Sequence, residues 1–146
     1  MRKLIFYKMI LFLGRPNAEE RSFIAKLKLE SEDEFFLKRF FPKREINENV
    51  TILNLKRIKF EMDELNPGCF VSKLGYVPLA ASYGGALYCV NGKYKNSDGL
   101  IRVSKIHADL KENYSSVDKI EDRVEFCCYG LREFFRKCFY DDSIDS

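Results

Sequence analysis

Residues 79–90 read LAASYGGALYCV, and the residues after the two glycines decide the fold. The centre, Ala80-Ala81-Ser82-Tyr83-Gly84-Gly85, imitates the G-x-S-x-G elbow that presents a nucleophilic serine, with alanine in place of the first glycine. An elbow needs a strand before the serine and a helix after it, because the helix N-terminus helps to hold the oxyanion. In this chain Leu87, Tyr88, Cys89 and Val90 come next, and then Asn91-Gly92, a hairpin-turn pair. The stretch reads as a loop entering a strand, which places an antiparallel sheet at the centre of the chain.

Working outward, Asn96, Ser97, Asp98 and Gly99 predict another turn, and LIRVSKI (100–106) another strand. Upstream, VTILNLKRIKFEM (50–62) alternates as Ile52/Asn54 and Ile58/Phe60 and reads as strand, with an irregularity near Asn54. Asn66, Pro67 and Gly68 make a turn, and Cys69 to Leu74 a short strand.

The flanks have helical spacing. AEERSFIAKLKL (18–29) sets Phe23, Ile24 and Leu27 on one face behind leading acids. SEDEFFLKRFF (31–41) opens on Ser31 and Glu34 at capping-box spacing. It carries Phe36, Leu37, Phe40 and Phe41 as a core stripe and should stop at Pro42. Residues 108–117 read as a polar loop. From about Asp118 the helical period returns, with Leu131, Phe134, Phe135 and Cys138 apolar and Arg132, Glu133, Arg136 and Lys137 wet. Residues 141–146 read as a frayed tail. Helices, then strands, then a helix is an α+β order. We expect N-terminal helices, a central antiparallel sheet and a C-terminal helix in a single domain over 1–146.

A chain of 146 residues can bury a proper core, and 46% hydrophobic with 32% charged residues excludes a disordered chain. The net charge of +3 comes from interleaved acids and bases, which argues against a nucleic-acid partner and against an acidic DNA mimic. Five cysteines, at 69, 89, 127, 128 and 138, are odd in number and show no framework spacing; they read as reduced thiols in the cytoplasm. With His107 as the sole histidine, no metal site is expected. The N-terminal MRKLIFYKMILFLGRP resembles a signal peptide, but Lys8 interrupts the apolar run and no small-x-small pattern comes after it. The run is too short to span a bilayer, so it reads as a buried first helix or strand, with no membrane partner.

Catalytic chemistry finds little to work with. A triad using Ser82 would need His107, which comes too soon for the order serine, acid, histidine, and no His-Gly-Gly-Gly stretch offers a second oxyanion donor. A Cys–His pair through His107 has no better support. The carboxylate pairs Glu19/Glu20, Asp33/Glu34, Asp63/Glu64 and Glu121/Asp122 sit in charged stretches that give no reason for split pKa values. The pairs Lys38-Arg39, Lys43-Arg44 and Lys56-Arg57 are flanked by acids and read as solvated faces. Neither nucleotide-binding glycine motif occurs. No catalytic residue and no cofactor are expected; a small serine hydrolase using Ser82 is a remote alternative.

Residues 76–91, YVPLAASYGGALYCVN, resemble the central signature of the SUKH superfamily. That signature runs apolar residue, Pro, Ile or Leu, Ala, small residue, Asp, three glycines, Asn or Asp, then an alternating strand ending Cys-Leu-Asp. Pro78, Leu79, Ala80, Gly84, Gly85 and Cys89 match in register, and Asn91 stands where Asp is frequent. Ser82 replaces the usual Asp and Tyr83 the first Gly. VEFCCYGLREFFRKCF (124–139) resembles the family's last helix, with Phe134 and Phe135 nearest its Ser-Phe-x-x-Phe-Leu pattern.

The motif has a structural role of its own. Pro78 would fix the approach to the loop, and Gly84 and Gly85 would permit positive φ. Leu87 and Cys89 would share one strand face, with Tyr88 and Val90 on the other.

The resemblance implies a binding module. Bacterial members are immunity proteins that neutralise a cognate toxin, often a nuclease; other members regulate cell-wall synthesis and signalling. A toxin with a basic cleft would meet an acidic patch, for which Glu30 to Glu34 (Glu32, Asp33 and Glu34 above all), Glu61 to Glu64 (Glu61, Asp63 and Glu64) and the C-terminal acids are candidates. Tyr83 and Tyr94 are candidate anchors, because interface hot spots favour tyrosine.

Overall fold

The computed structural model describes residues 8–65, 67–107, 121 and 123–145. The expected 108–117 loop lies outside them, as do residues 1–7 and Asn66. Residues 8–12 are helical and run into β1 (Leu13–Gly14), so the described part of the apolar N-terminal run, from Lys8 on, is helix leading to a short strand. Asn17 then starts α1 (Ala18–Lys26) with a reciprocal capping box. Its side chain accepts from the Glu20 N–H, and the Glu20 carboxylate accepts from the Asn17 N–H, both at 2.8 Å. The capping box expected at Ser31 is not formed. Ser31 is already the first residue of α2 (Ser31–Leu37), whose cap, Glu30, makes no side-chain bond. The helix ends at Leu37, before Pro42, and β2 (Phe41–Pro42) pairs with β1.

The main sheet runs β3 (Ile46–Asn47), β4 (Thr51–Ile52), β5 (Tyr76–Ala81), β6 (Leu87–Lys95), β7 (Ile101–Ile106), β8 (Glu125–Tyr129). Each strand is antiparallel to the next, in sequence order. Together with α3 (Leu55–Glu64), α4 (Gly68–Ser72) and α5 (Leu131–Tyr140) it makes a single α+β domain.

Four readings are corrected. The strand expected through 62 stops at Ile52, because Asn54 accepts the Arg57 N–H at 3.2 Å and caps α3. On that helix Leu55 and Ile58 share the buried face. Cys69 to Leu74 is mostly helix, with Gly68 so close to α3 that an added Cβ would lie 2.2 Å from the Glu61 carbonyl oxygen. Asn91-Gly92 is not a turn; β6 passes through both, and the turn is Asn96 to Gly99. Gly92 is small because residues 27 and 28 cross it: an added Cβ would meet the Leu27 carbonyl oxygen at 3.0 Å. Finally, the first half of 124–139 is strand β8, broken from α5 by Gly130 at φ +92°.

Both faces of the sheet are covered. The larger cluster joins Ile24, Phe36, Leu37, Ile58, Phe134 and Phe135 to Tyr88, Val90, Ile101 and Val103 on one face. Phe135 stacks on Phe36 at 5.7 Å, tying α5 to α2. The other face carries Tyr76, Leu87, Cys89 and Ile106 under Val71 of α4. Leu87 and Cys89 thus face away from Tyr88 and Val90, as the alternation predicts. Each such apolar side chain contributes about 1.5–3 kcal/mol by burial.

The tail is tied down through Asp145. The Tyr88 hydroxyl donates to its carboxylate at 2.6 Å, and Lys105 pairs with it at 2.9 Å. Among the described residues no helix is long and apolar enough to cross a membrane.

Candidate functional site

The Ser82 loop is a strand–turn–strand connection. Ser82 is buried; its hydroxyl accepts the Ala86 N–H at 2.9 Å, and its own N–H donates to the Ala86 carbonyl at 2.8 Å. The side-chain oxygen closes the turn. Of the two glycines, Gly85 alone has positive φ, +95°, while a Cβ on Gly84 would meet nothing nearer than the Ser82 hydroxyl at 3.8 Å.

Pro78 lies inside β5, four residues before the turn, where the register shifts between Pro78 and Ala80. A bulge there accommodates a residue with no N–H. Ala80 is fully buried opposite Tyr88, and Cys89 is fully buried on the far face, where burial pushes its thiol pKa up. His107, half-buried, turns to β8, with Nε2 2.9 Å from Glu125 Oε1.

The acidic candidates do not assemble into one patch. Asp33 is 2% exposed and is a structural staple: one carboxylate oxygen accepts the Ile101 N–H at 2.7 Å, the other the Leu131 N–H at 2.8 Å. It therefore caps α5 from α2 and fastens both to β7. Glu61 is buried beside Arg57 at 3.3 Å; burial raises its carboxyl pKa, and the guanidinium opposes that. Glu34 pairs with Lys38 at 2.9 Å. Glu32, Asp63 and Glu64 are exposed. Yet Asp63 and Glu64 end a helix packed on β5, whereas α2 is tied to β7 and α5, across β6.

Tyr83 is exposed, but its hydroxyl donates to the Glu48 carbonyl at 2.6 Å. Tyr94 is half-buried, its ring 6.5 Å from that of Tyr76 and the Arg102 guanidinium 4.2 Å above it. It is a packing residue. Of the basic pairs, Lys38, Lys43 and Arg57 are all in ion pairs. Among the described residues no cluster of His, Cys, Asp or Glu is arranged to hold a metal ion.

The structure assembles a different surface, a groove of about 780 Å³ between α2 and α5, reaching Tyr129 at the end of edge strand β8. Phe35 stands on its rim at 59% exposure, with the Arg39 guanidinium 4.2 Å over its ring. Tyr129 is also exposed and touches exposed Phe126, ring centres 5.0 Å apart. Arg132 and the Arg136–Glu133 pair line the opposite wall, that pair held by bonds of 2.6 and 2.9 Å. The bond to Arg136 lowers the Glu133 carboxyl pKa.

None of these aromatic groove residues was a sequence candidate, although Phe35 had a signal. It lies out of phase with Phe36, Leu37 and Phe40, so the helix that buries them must expose it. Tyr129 had none, because its strand read as helix. Compared with known proteins, the chain matches no family model, no curated protein and no solved structure.

Proposed function

We propose that the chain is a protein-binding module that neutralises a cognate toxin domain by stoichiometric association, docking it across the α2–α5 groove. The observation that carries this reading is the groove rim. Phe35 and Tyr129 leave large aromatic surface in water there, with Arg39 stacked on the Phe35 ring and exposed Phe126 beside Tyr129 outside the groove, and that is hot-spot chemistry. The SUKH-like stretch 76–91 supports the immunity assignment. The five free cysteines support a reducing compartment, the cytoplasm.

The groove also chooses the partner's chemistry. Arg39 has no ion pair among the described residues, so a carboxylate beside an apolar side chain is the complement. This replaces the single acidic patch expected for a basic nuclease cleft.

The test is capture of the tagged chain from its native lysate, then titration with the captured toxin domain and rescue of cells expressing it. Phe35→Ala with Arg39→Ala should weaken binding by roughly 30-fold or more and abolish rescue, with the melting temperature unchanged. Full rescue by that variant, with loss in Asp63→Lys/Glu64→Lys, would move the interface to the end of α3. Capture of a housekeeping or signalling protein, with no rescue from any toxin, would replace immunity with a regulatory role.

A further inference from the structure

Alternation should send the adjacent residues Cys127 and Cys128 of β8 to opposite faces of the sheet. A bulge cancels it. Val103 pairs with Cys128 and Ser104 with Phe126, leaving Cys127 as the extra residue. Phe126 points to solvent, Cys128 lies in the main core, and Cys127 packs against that same core. The two thiols therefore share that face, and the Cys128 thiol donates to the Gly130 carbonyl at 4.0 Å.

Cys127 is half-buried and lines an open cavity of about 170 Å³ with Lys105, Lys137, Glu125 and Asp141. Lys137 binds Asp141 at 3.3 Å and Lys105 binds Asp145 at 2.9 Å, so both cations lie partly neutralised at the mouth. The neighbouring Cys128 thiol lowers the Cys127 thiol pKa. Burial and the carboxylates of Asp141 and Glu133 oppose it, and Lys137 adds to it. Cys128 is driven the other way by its neighbour and by burial. Cys89 and Cys138 are fully buried. A thiol in reach of solvent in a cavity lined by two lysines, with a buried thiol next to it on the same face, is the arrangement of an attacking and a resolving cysteine.

We infer that Cys127 and Cys128 form a redox modification site, at which a hydroperoxide oxidises Cys127 and Cys128 resolves the product to a vicinal disulfide. The Cys127 thiolate attacks the outer peroxide oxygen; an S–O bond forms, the O–O bond breaks, and the departing alkoxide or hydroxide takes up a proton. Cys127 is then a sulfenic acid. The Cys128 sulfur attacks it; an S–S bond forms, the S–O bond breaks, and hydroxide leaves as water with the Cys128 proton. The paired thiols lose two electrons and the peroxide is reduced to water or an alcohol. No residue that lines this cavity lines the docking groove.

The experiment is peroxide titration of the reduced full-length chain, read by intact mass and by peptide mapping without reductant. The expected result is a loss of about 2 Da with the link mapped to Cys127–Cys128. Iodoacetamide should alkylate Cys127 several-fold faster than Cys69, the other half-buried thiol. In Cys128→Ala, dimedone should trap the sulfenic acid at Cys127, and Cys127→Ser should abolish both products. Oxidation and alkylation that reach Cys69 first, or a disulfide joining two chains in place of the vicinal one, would overturn the assignment. Mapping of the wild-type chain decides the matter if the Cys128 variant does not fold.

Discussion

The Ser82 turn and the Asp33 staple use the same bond, a side-chain oxygen accepting a backbone N–H, over very different reaches of chain. The Ser82 hydroxyl binds the N–H of Ala86, four residues on. Asp33 binds N–H groups 68 and 98 residues on, in β7 and at the head of α5. The first closes a surface loop between neighbouring strands, where another turn sequence would serve. The second joins helix, sheet and helix, and both donors are shielded from water, so nothing replaces it. Distinctiveness in sequence and weight in the fold are therefore separate properties: the motif that imitates an active site holds one turn, and an ordinary surface-looking acid holds three elements.

The sharpest test of that contrast is Asp33→Ala. Two buried donors lose their acceptor at about 1–3 kcal/mol each, and the thermal midpoint should fall by roughly 10 °C or more. Asp33→Asn keeps one acceptor and should lose about half as much. A midpoint within about 2 °C of wild type for the alanine variant would break the comparison.

Next comes Gly85→Ala, which forces a side chain to φ +95° and should cost about 1–2 kcal/mol, while Gly84→Ala should stay within about 0.5 kcal/mol. Equal losses in denaturant titrations would mean that the turn depends on both glycines. Ser82→Ala removes one hydrogen bond and should cost about 1 kcal/mol, with Ala86 amide exchange accelerated.

The smallest effect is expected at Glu61, a buried acid whose carboxylate accepts no backbone N–H among the described residues. Burial raises its folded pKa above the ordinary 4.5, so folding favours the protonated form. That contribution is full below pH 4.5 and is lost as pH rises through the folded value. Glu61→Gln should therefore match or exceed wild type by up to about 1 kcal/mol at neutral pH and lose the advantage in acid. Stability scans of both proteins across that range, showing wild type ahead at neutral pH, would assign the Arg57 pair a net stabilising role.

What could be read from the residues depended on how local the cause was. The faces of β6, the Asn96–Gly99 turn and the apolar stripe of α5 come from period and turn chemistry, and all are present in the structure. The α3 helix reads as strand because Ile58 and Phe60 imitate alternation, although the Asn54 cap is visible in the chain. Asn91-Gly92 misleads for a tertiary reason: Gly92 makes room for residues 27 and 28, and Asn91 ties β6 to the Leu74 carbonyl at 3.2 Å. The groove could be read only in part. Phe35 is out of phase with its own helix, but its partners come from β8 and α5, and no local pattern says that those ends meet.

The position of β6 gives the chain one more property. The strand is bonded to β5 on one edge and β7 on the other, and from Leu87 to Val90 it is buried on both faces. No small opening can bring water to those four amides, because every route crosses a neighbouring strand or a packed layer. Their deuterium uptake should keep the pace of global unfolding, while edge strand β8 exchanges sooner. The stretch that looked like a reactive loop thus leads into the protein's slowest clock.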